Sequence, residues 1–190
     1  HEQNSVMGRA NRLLASRVTA IATGFRVLTH VDARVQSKMT FTGNPVRPLV
    51  IEASHVPYVA SGADGTIRLL VFGGSQGARV MSEIVPPAVA LLGADIRARL
   101  HIVQQARAED IDAVSARYNE LGVAATCAAF FSDLPVRMAA AHLVVSRSGA
   151  STIAELSAIG RPAILVPLPG AIDQDQFANA GVLEQAGGAI

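Results

Sequence analysis

The chain has no tryptophan, a single cysteine, and aromatic residues at only 4% of its 190 positions. One cysteine excludes an intrachain disulfide and a cysteine-built zinc site. Cys127 lies in an apolar run, residues 123–130, where a small buried hydrophobe is the plain reading and a cytosolic setting is compatible. Charge is sparse too: 16% of residues are charged, and the net charge is +1 with the signs interspersed. Without a basic stripe or many aromatics, nucleic-acid binding has no support. No apolar run approaches the ~20 residues of a membrane-spanning helix; a candidate such as residues 138–145 is strand-length and contains His142. His1, His30, His55, His101 and His142 are scattered without HxxxH or HExxH spacing, so no bound metal is expected. Also missing are a Gly-x-Ser-x-Gly elbow, a phosphate-loop lysine and the G-x-G-x-x-G order of dehydrogenases.

What is abundant is apolar sequence in short runs. Half of the residues are hydrophobic, and the mean hydropathy is +0.34. Parallel strands buried on both faces read this way. From Ile67 onward strands and helices alternate: strands at residues 67–72, 100–105, 123–129, 142–145 and 162–166, helices at 78–92, 108–121, 134–140, 152–159 and 173–185. Pro86 and Pro87 predict a kink in the first of these helices. Five β–α units in a row predict an α/β fold with a doubly wound parallel sheet. Upstream, residues 6–17 read as a helix, 19–25 as a strand, and 36–42 as β-leaning. Pro45 and Pro48 break regular structure across residues 43–48, the expected linker. The chain opens on His1 rather than Met and closes on Gly187, Gly188, Ala189 and Ile190 as if entering a strand; a piece of a longer protein is expected.

Two glycine-rich turns sit between a strand and a helix. The first is Phe72, Gly73, Gly74, Ser75, Gln76, Gly77 and Ala78; the second is Ser146, Arg147, Ser148, Gly149, Ala150, Ser151 and Thr152. Such turns offer backbone N–H groups and the positive end of a helix dipole to an anion. On doubly wound sheets, ligands bind beyond the carboxyl ends of the strands, where these turns lie. Glu155 has two readings. It is either favourable charge near a helix N-terminus, or a carboxylate accepting both hydroxyls of a ribose. Gln176 and Asn179, three apart, share a helix face; spacing favours a solvated polar face over a pair that reads sugar hydroxyls. Arg47 and Arg147 are ordinary surface charges or phosphate contacts. His101 and His142, in or beside apolar strands, read as structural.

Taken together, these pieces resemble one family. His1, Glu2, Gln3 and Asn4, then Asn11–Arg12, Gly43 to Arg47, Gly73 to Arg79, Arg147 to Ala150, Glu155–Leu156, and Asp173, Gln176, Asn179 and Ala180 occur in the order of the MurG family. These are the bacterial UDP-N-acetylglucosamine transferases that complete lipid II. The resemblance runs over essentially the whole chain. It implies a GT-B fold, two Rossmann-like domains across a cleft. Residues 1–43 would then close the acceptor-side, N-terminal domain, and residues 44–190 would form most of the UDP-sugar-binding, C-terminal domain. It further implies that Arg47 and Ser75, with the amides around Gln76 and Gly77, meet the diphosphate. Glu155 would bind the ribose, Phe131 would lie where uracil is contacted, and Arg147 and Ala150 would flank the diphosphate and sugar. Gln176 and Asn179 would read the N-acetylglucosamine hydroxyls, and His1, Glu2, Asn4 and Asn11 would border the acceptor cleft. Asp175 stands where His or Gln is usual, and Ser82 where Asn is frequent.

The reaction implied is inverting transfer of N-acetylglucosamine from UDP-N-acetylglucosamine to the C4 hydroxyl of lipid I, at the inner face of the cytoplasmic membrane. The leaving diphosphate would be stabilised by the glycine turns and a helix N-terminus rather than a divalent cation, with no cofactor. The base is expected outside this chain, so donor binding without turnover is expected of it alone. Two alternatives are a non-catalytic nucleotide-sugar-binding subunit and a UDP-sugar epimerase of the same fold; the His1–Asn4 and Asn44–Arg47 pieces favour the transferase.

Overall fold

The computed structural model describes residues 1–74, 79–170 and 173–190. Its amino-terminal portion is small. Helix α1 (Arg9–Ala15) precedes strand β1 (Ile21–Thr23), a 3₁₀ turn (Ala33–Lys38) and strand β2 (Met39–Phe41). β1 and β2 pair in parallel, Ile21 opposite Met39. Met7, Ala15, Ile21 and Val35 form a small core beneath them. The expected helix over residues 6–17 starts later because Val6 makes a strand-like bridge to Thr29. The expected strand over 19–25 keeps only its middle three residues.

The expected linker ends in a helix, α2 (Pro48–Ser54), with Arg47 as its N-cap residue. A proline at the first helical position has no hydrogen bond to lose and a φ already set for the helix. The two prolines that read as breakers therefore include the residue that starts α2.

The main sheet contains β3 (Ile67–Phe72), β4 (Leu100–Gln105), β5 (Ala124–Ala128), β6 (Leu143–Ser146) and β7 (Ala163–Leu165), in the order β5-β4-β3-β6-β7. All four neighbouring pairs are parallel. The helices are α3 (Arg79–Ala90), α4 (Ala94–Arg99), α5 (Ile111–Glu120), α6 (Leu134–Ala140), α7 (Ala150–Ile159) and α8 (Asp175–Gln185). β3 shows why the strands are apolar throughout. Leu70 and Phe72 face a core shared with Val50 of α2, Met138 of α6 and Leu156 of α7. Leu69 and Val71 face the opposite core, with Met81 and Val85 of α3 and Val114 and Tyr118 of α5. Alternate residues serve opposite layers, so both must be apolar.

The α/β doubly wound sheet is as the alternation predicts. α3 continues through Pro86 and Pro87, and the pair withholds two N–H donors from the carbonyls four residues earlier. One boundary differs. The expected helix over 108–121 opens as a 3₁₀ turn, Ala108–Asp110, before α5. α4, short and without buried residues, has no apolar stripe by which to read it.

Candidate functional site

The strand order reverses between β3 and β6. β3 leads outward to β4 and β5, and β6 leads the other way to β7. This is the switch point at which open α/β sheets bind ligands. The two glycine-rich turns leave these two strands side by side: the register sets Phe72 opposite Ser146. After β3, Gly74 turns the chain with φ +97°, a conformation that a Cβ disfavours. Ser75, Gln76 and Gly77 lie outside the described residues. After β6, Ser146 and Ser148 are fully buried. Gly149 is the N-cap residue of α7, and no side chain caps that end. Ala150 opens the helix and is buried. The first amides of α7 therefore have no side-chain cap, the arrangement an anion takes up.

Glu155 stands on the second turn of α7, nearly buried. Arg47, at the start of α2, reaches it across 108 residues of sequence. The guanidinium donates from Nε to Oε1 at 3.1 Å and from Nη2 to Oε2 at 3.2 Å. The two residues that the sequence marked separately for ribose and diphosphate form a two-pronged ion pair beside the β6–α7 turn.

Arg147 points along the sheet edge and donates from Nη1 to the carbonyls of Val166 and Pro167, at 3.1 and 2.8 Å. Burial pulls its pKa below the ordinary arginine value. It ties the turn after β6 to the loop after β7. Gln176, on the first turn of α8, accepts the Leu168 N–H through Oε1 at 3.0 Å, while its backbone carbonyl accepts from Ser148 Oγ at 2.7 Å.

Asn179 is fully buried rather than solvent-facing. Its Oδ1 accepts from the Ser5 N–H at 2.8 Å and from Ser5 Oγ at 3.0 Å. Its Nδ2 donates to Asn4 Oδ1 at 2.9 Å and to the Ser148 carbonyl at 3.2 Å. A primary amide has two lone pairs and two N–H groups, so all four positions are used within the fold. The polar-face reading, which spacing favoured, does not describe this side chain.

Phe131 follows β5 at the same edge. It is buried, with the Arg137 guanidinium 4.4 Å from its ring centre; its neighbour Phe130 is exposed. In the amino-terminal segment Glu2 is buried, and its carboxylate accepts from the N–H groups of Asn4 and Gly8 and from Asn11 Nδ2, each within 2.9 Å. His1 is exposed, with Nε2 3.1 Å from the Gly43 carbonyl. Glu2, Asn4 and Asn11 thus form one hydrogen-bonded group at the foot of α1. Sequence reasoning missed Ser5, which carries no motif; Asp173, marked only as part of the family pattern, meets Arg12 at 3.3 Å across 161 residues.

Residues 68–190 match the model for the glycosyltransferase family 28 C-terminal domain. The chain belongs to glycosyltransferase family 28. Among curated family members, it is 64% identical over its whole length to the UDP-N-acetylglucosamine--N-acetylmuramyl-(pentapeptide) pyrophosphoryl-undecaprenol N-acetylglucosamine transferase of Methylobacterium sp. (strain 4-46). It is 58% identical, again over its whole length, to the enzyme of that name from Rhodopseudomonas palustris (strain BisB18). It spans 51% of each relative, so about half of their length. Among solved structures, Acinetobacter baumannii MurG superposes on all of the chain with a TM-score of 0.78 and 30% identity, over 51% of that protein. This likeness carries the GT-B assignment.

Proposed function

We propose that this family 28 chain is the donor-binding half of an inverting transferase. The enzyme would move N-acetylglucosamine from UDP-N-acetylglucosamine to the C4 hydroxyl of lipid I; the relatives' names support this as far as an N-acetylglucosamine transfer between UDP-N-acetylglucosamine and an N-acetylmuramyl-(pentapeptide) pyrophosphoryl-undecaprenol. The observation that carries this is the adjacency of the strand ends Phe72 and Ser146 at the sheet's switch point, with the Arg47–Glu155 pair joining the start of α2 to α7. In the proposal the amides of Ser75, Gln76 and Gly77, the open start of α7 at Ala150, and Arg47 take the diphosphate. Dipoles fixed in place before the reaction stabilise the charge that develops as UDP departs. Glu155 accepts the ribose hydroxyls, and uracil lies by the Phe131 backbone. Gln176 presents its amide to the sugar. Arg147 and Asn179 act as positioning residues, holding the loops that present these groups. His1, Glu2, Asn4 and Asn11 border the acceptor side, and the domain boundary falls between residues 43 and 44.

The base that takes the C4 hydroxyl proton belongs, in this proposal, to the part of the enzyme that this chain does not include. The whole enzyme would work on the inner face of the cytoplasmic membrane. Among the described residues no helix is long and apolar enough to cross a membrane.

Calorimetry with UDP-N-acetylglucosamine, UDP-glucose and NAD tests the donor assignment. Preference for the first is expected, and binding of NAD alone would refute it. Glu155→Ala should weaken UDP binding by ~1–3 kcal/mol through loss of charge-assisted hydrogen bonds. Unchanged affinity would return Glu155 to simple helix-end electrostatics.

A further inference from the structure

Arg47 and Glu155 have separate partners in the proposed complex, yet here they hold each other. Glu155 is the more enclosed, its side chain 12% exposed against 56% for Arg47. Among the described residues Arg47 is the hydrogen-bond partner of that carboxylate. We propose that Arg47 is a latch on the ribose subsite which only a phosphate-bearing ligand opens. The pair thereby selects nucleotides over nucleosides. The inference rests on the donor-site reading above.

A nucleoside offers Glu155 two neutral hydroxyls. To accept them the carboxylate must release a guanidinium that matches it on two prongs, and nothing in a nucleoside receives the displaced cation. A nucleoside diphosphate supplies both halves of the exchange: the ribose diol goes to Glu155, and an anion goes to Arg47. Charge stays paired throughout, which matters most where water is partly excluded. The backbone favours a side-chain swing over a loop movement. Arg47 is the N-cap residue of α2 and is followed by Pro48, which restricts its backbone to the extended region, while more than half of its side chain is exposed. Opposite effects on the two ligand classes follow, and so does coupling between separate pieces: an anion that draws Arg47 away should help a nucleoside bind, and the converse by reciprocity.

The experiment is calorimetry of uridine and UDP with the wild-type chain, Arg47→Ala and Arg47→Met, uridine also being titrated with inorganic pyrophosphate present. In both variants uridine should bind several-fold more tightly, while UDP binds about tenfold or more weakly, equal to 1.4 kcal/mol or more. Pyrophosphate should tighten uridine binding to wild type and leave it unchanged in the variants. If uridine weakens or stays the same in both variants, Arg47 positions the carboxylate or ignores it, and the latch is wrong while the donor site stands. If wild type binds no UDP, the donor-site reading fails and the latch with it.

Discussion

Asn179→Ala separates two roles for one side chain, reading the sugar or tying the amino-terminal segment to the sheet. The magnitude comes from what truncation leaves behind. Ser5 and Ser148 are buried, at 4% and 0% exposure. The Ser5 N–H loses its acceptor and the Ser148 carbonyl loses a donor, while Ser5 Oγ is free to rotate elsewhere. Each buried group left unpaired costs ~1–3 kcal/mol, so the two together give about 2–6 kcal/mol; a loss of about 2–4 kcal/mol is expected, since few single substitutions exceed that range. For a chain of this size ~1 kcal/mol moves Tm by about 2–4 °C, which gives a fall of about 5–15 °C by circular dichroism. The strand-like ladder that follows should loosen with it: the Thr29 N–H donates to the Ser5 carbonyl and the Met7 N–H to the Thr29 carbonyl. Hydrogen exchange at Ser5, Met7 and Thr29 should therefore accelerate more than at β3. Ligand binding supplies the discriminating readout. A tie predicts that the ratio of affinities for UDP-N-acetylglucosamine and UDP stays as in wild type. A Tm within about 1 °C of wild type, with a loss confined to the sugar-bearing ligand, would refute the tie and make Asn179 a direct contact.

Three further outcomes are expected. Tyr118→Phe should cost about 1–2 kcal/mol in denaturant unfolding, because the fully buried Tyr118 hydroxyl donates to Gln104 Oε1 and the amide oxygen would be left alone; an unchanged midpoint would contradict this. Gly160→Ala should cost about 1 kcal/mol, since Gly160 closes α7 at φ +69° with open space around a would-be Cβ, and Gly160→Asn should cost less; equal losses would point to sterics instead. Burial, then the charges of Arg68 and Arg161, hold the His142 pKa below its ordinary 6.5. The unfolded chain therefore takes up a proton that the folded chain resists, and the stability present above pH ~6.5 is lost as pH falls from there towards the folded value. Tm should drop as pH is lowered through this window, less steeply in His142→Gln; parallel profiles would exclude the imidazole as the source.

The sheet was legible because its strands obey one local rule. Ile67–Phe72 and Leu100–Gln105 are observed at the residues expected, since a strand covered on both faces is an apolar run with sharp ends. α2 was obscured because Pro48 has opposite meanings inside a helix and at its first position, and only the tertiary path distinguishes them. The glycine turns and Glu155 could be marked one by one from their places after strands and within a helix. Their company could not: Arg47 and Glu155, or Asn4 and Asn179, meet across more than a hundred residues, and no periodicity links them.

Strand order is the piece from which the site's shape follows, and it has a physical cause that local sequence hides. A right-handed crossover between parallel strands puts its helix on one face when the chain steps one way, and on the other face when it steps back. α3 and α5 cover one face of the sheet, while α6 and α7 cover the other with α2. The chain must therefore reverse direction after β5, which brings β6 back beside β3 rather than beyond β5. That reversal alone places the end of β6 at Ser146 next to the end of β3 at Phe72, and it puts α7 on the face where α2 presents Arg47. Amphipathic helices alone show only that each has a face to bury. Which layer receives that face is decided by the packing of Val50, Met138 and Leu156 against Leu70 and Phe72, a choice spread along the chain that brings the ends of β3 and β6 together.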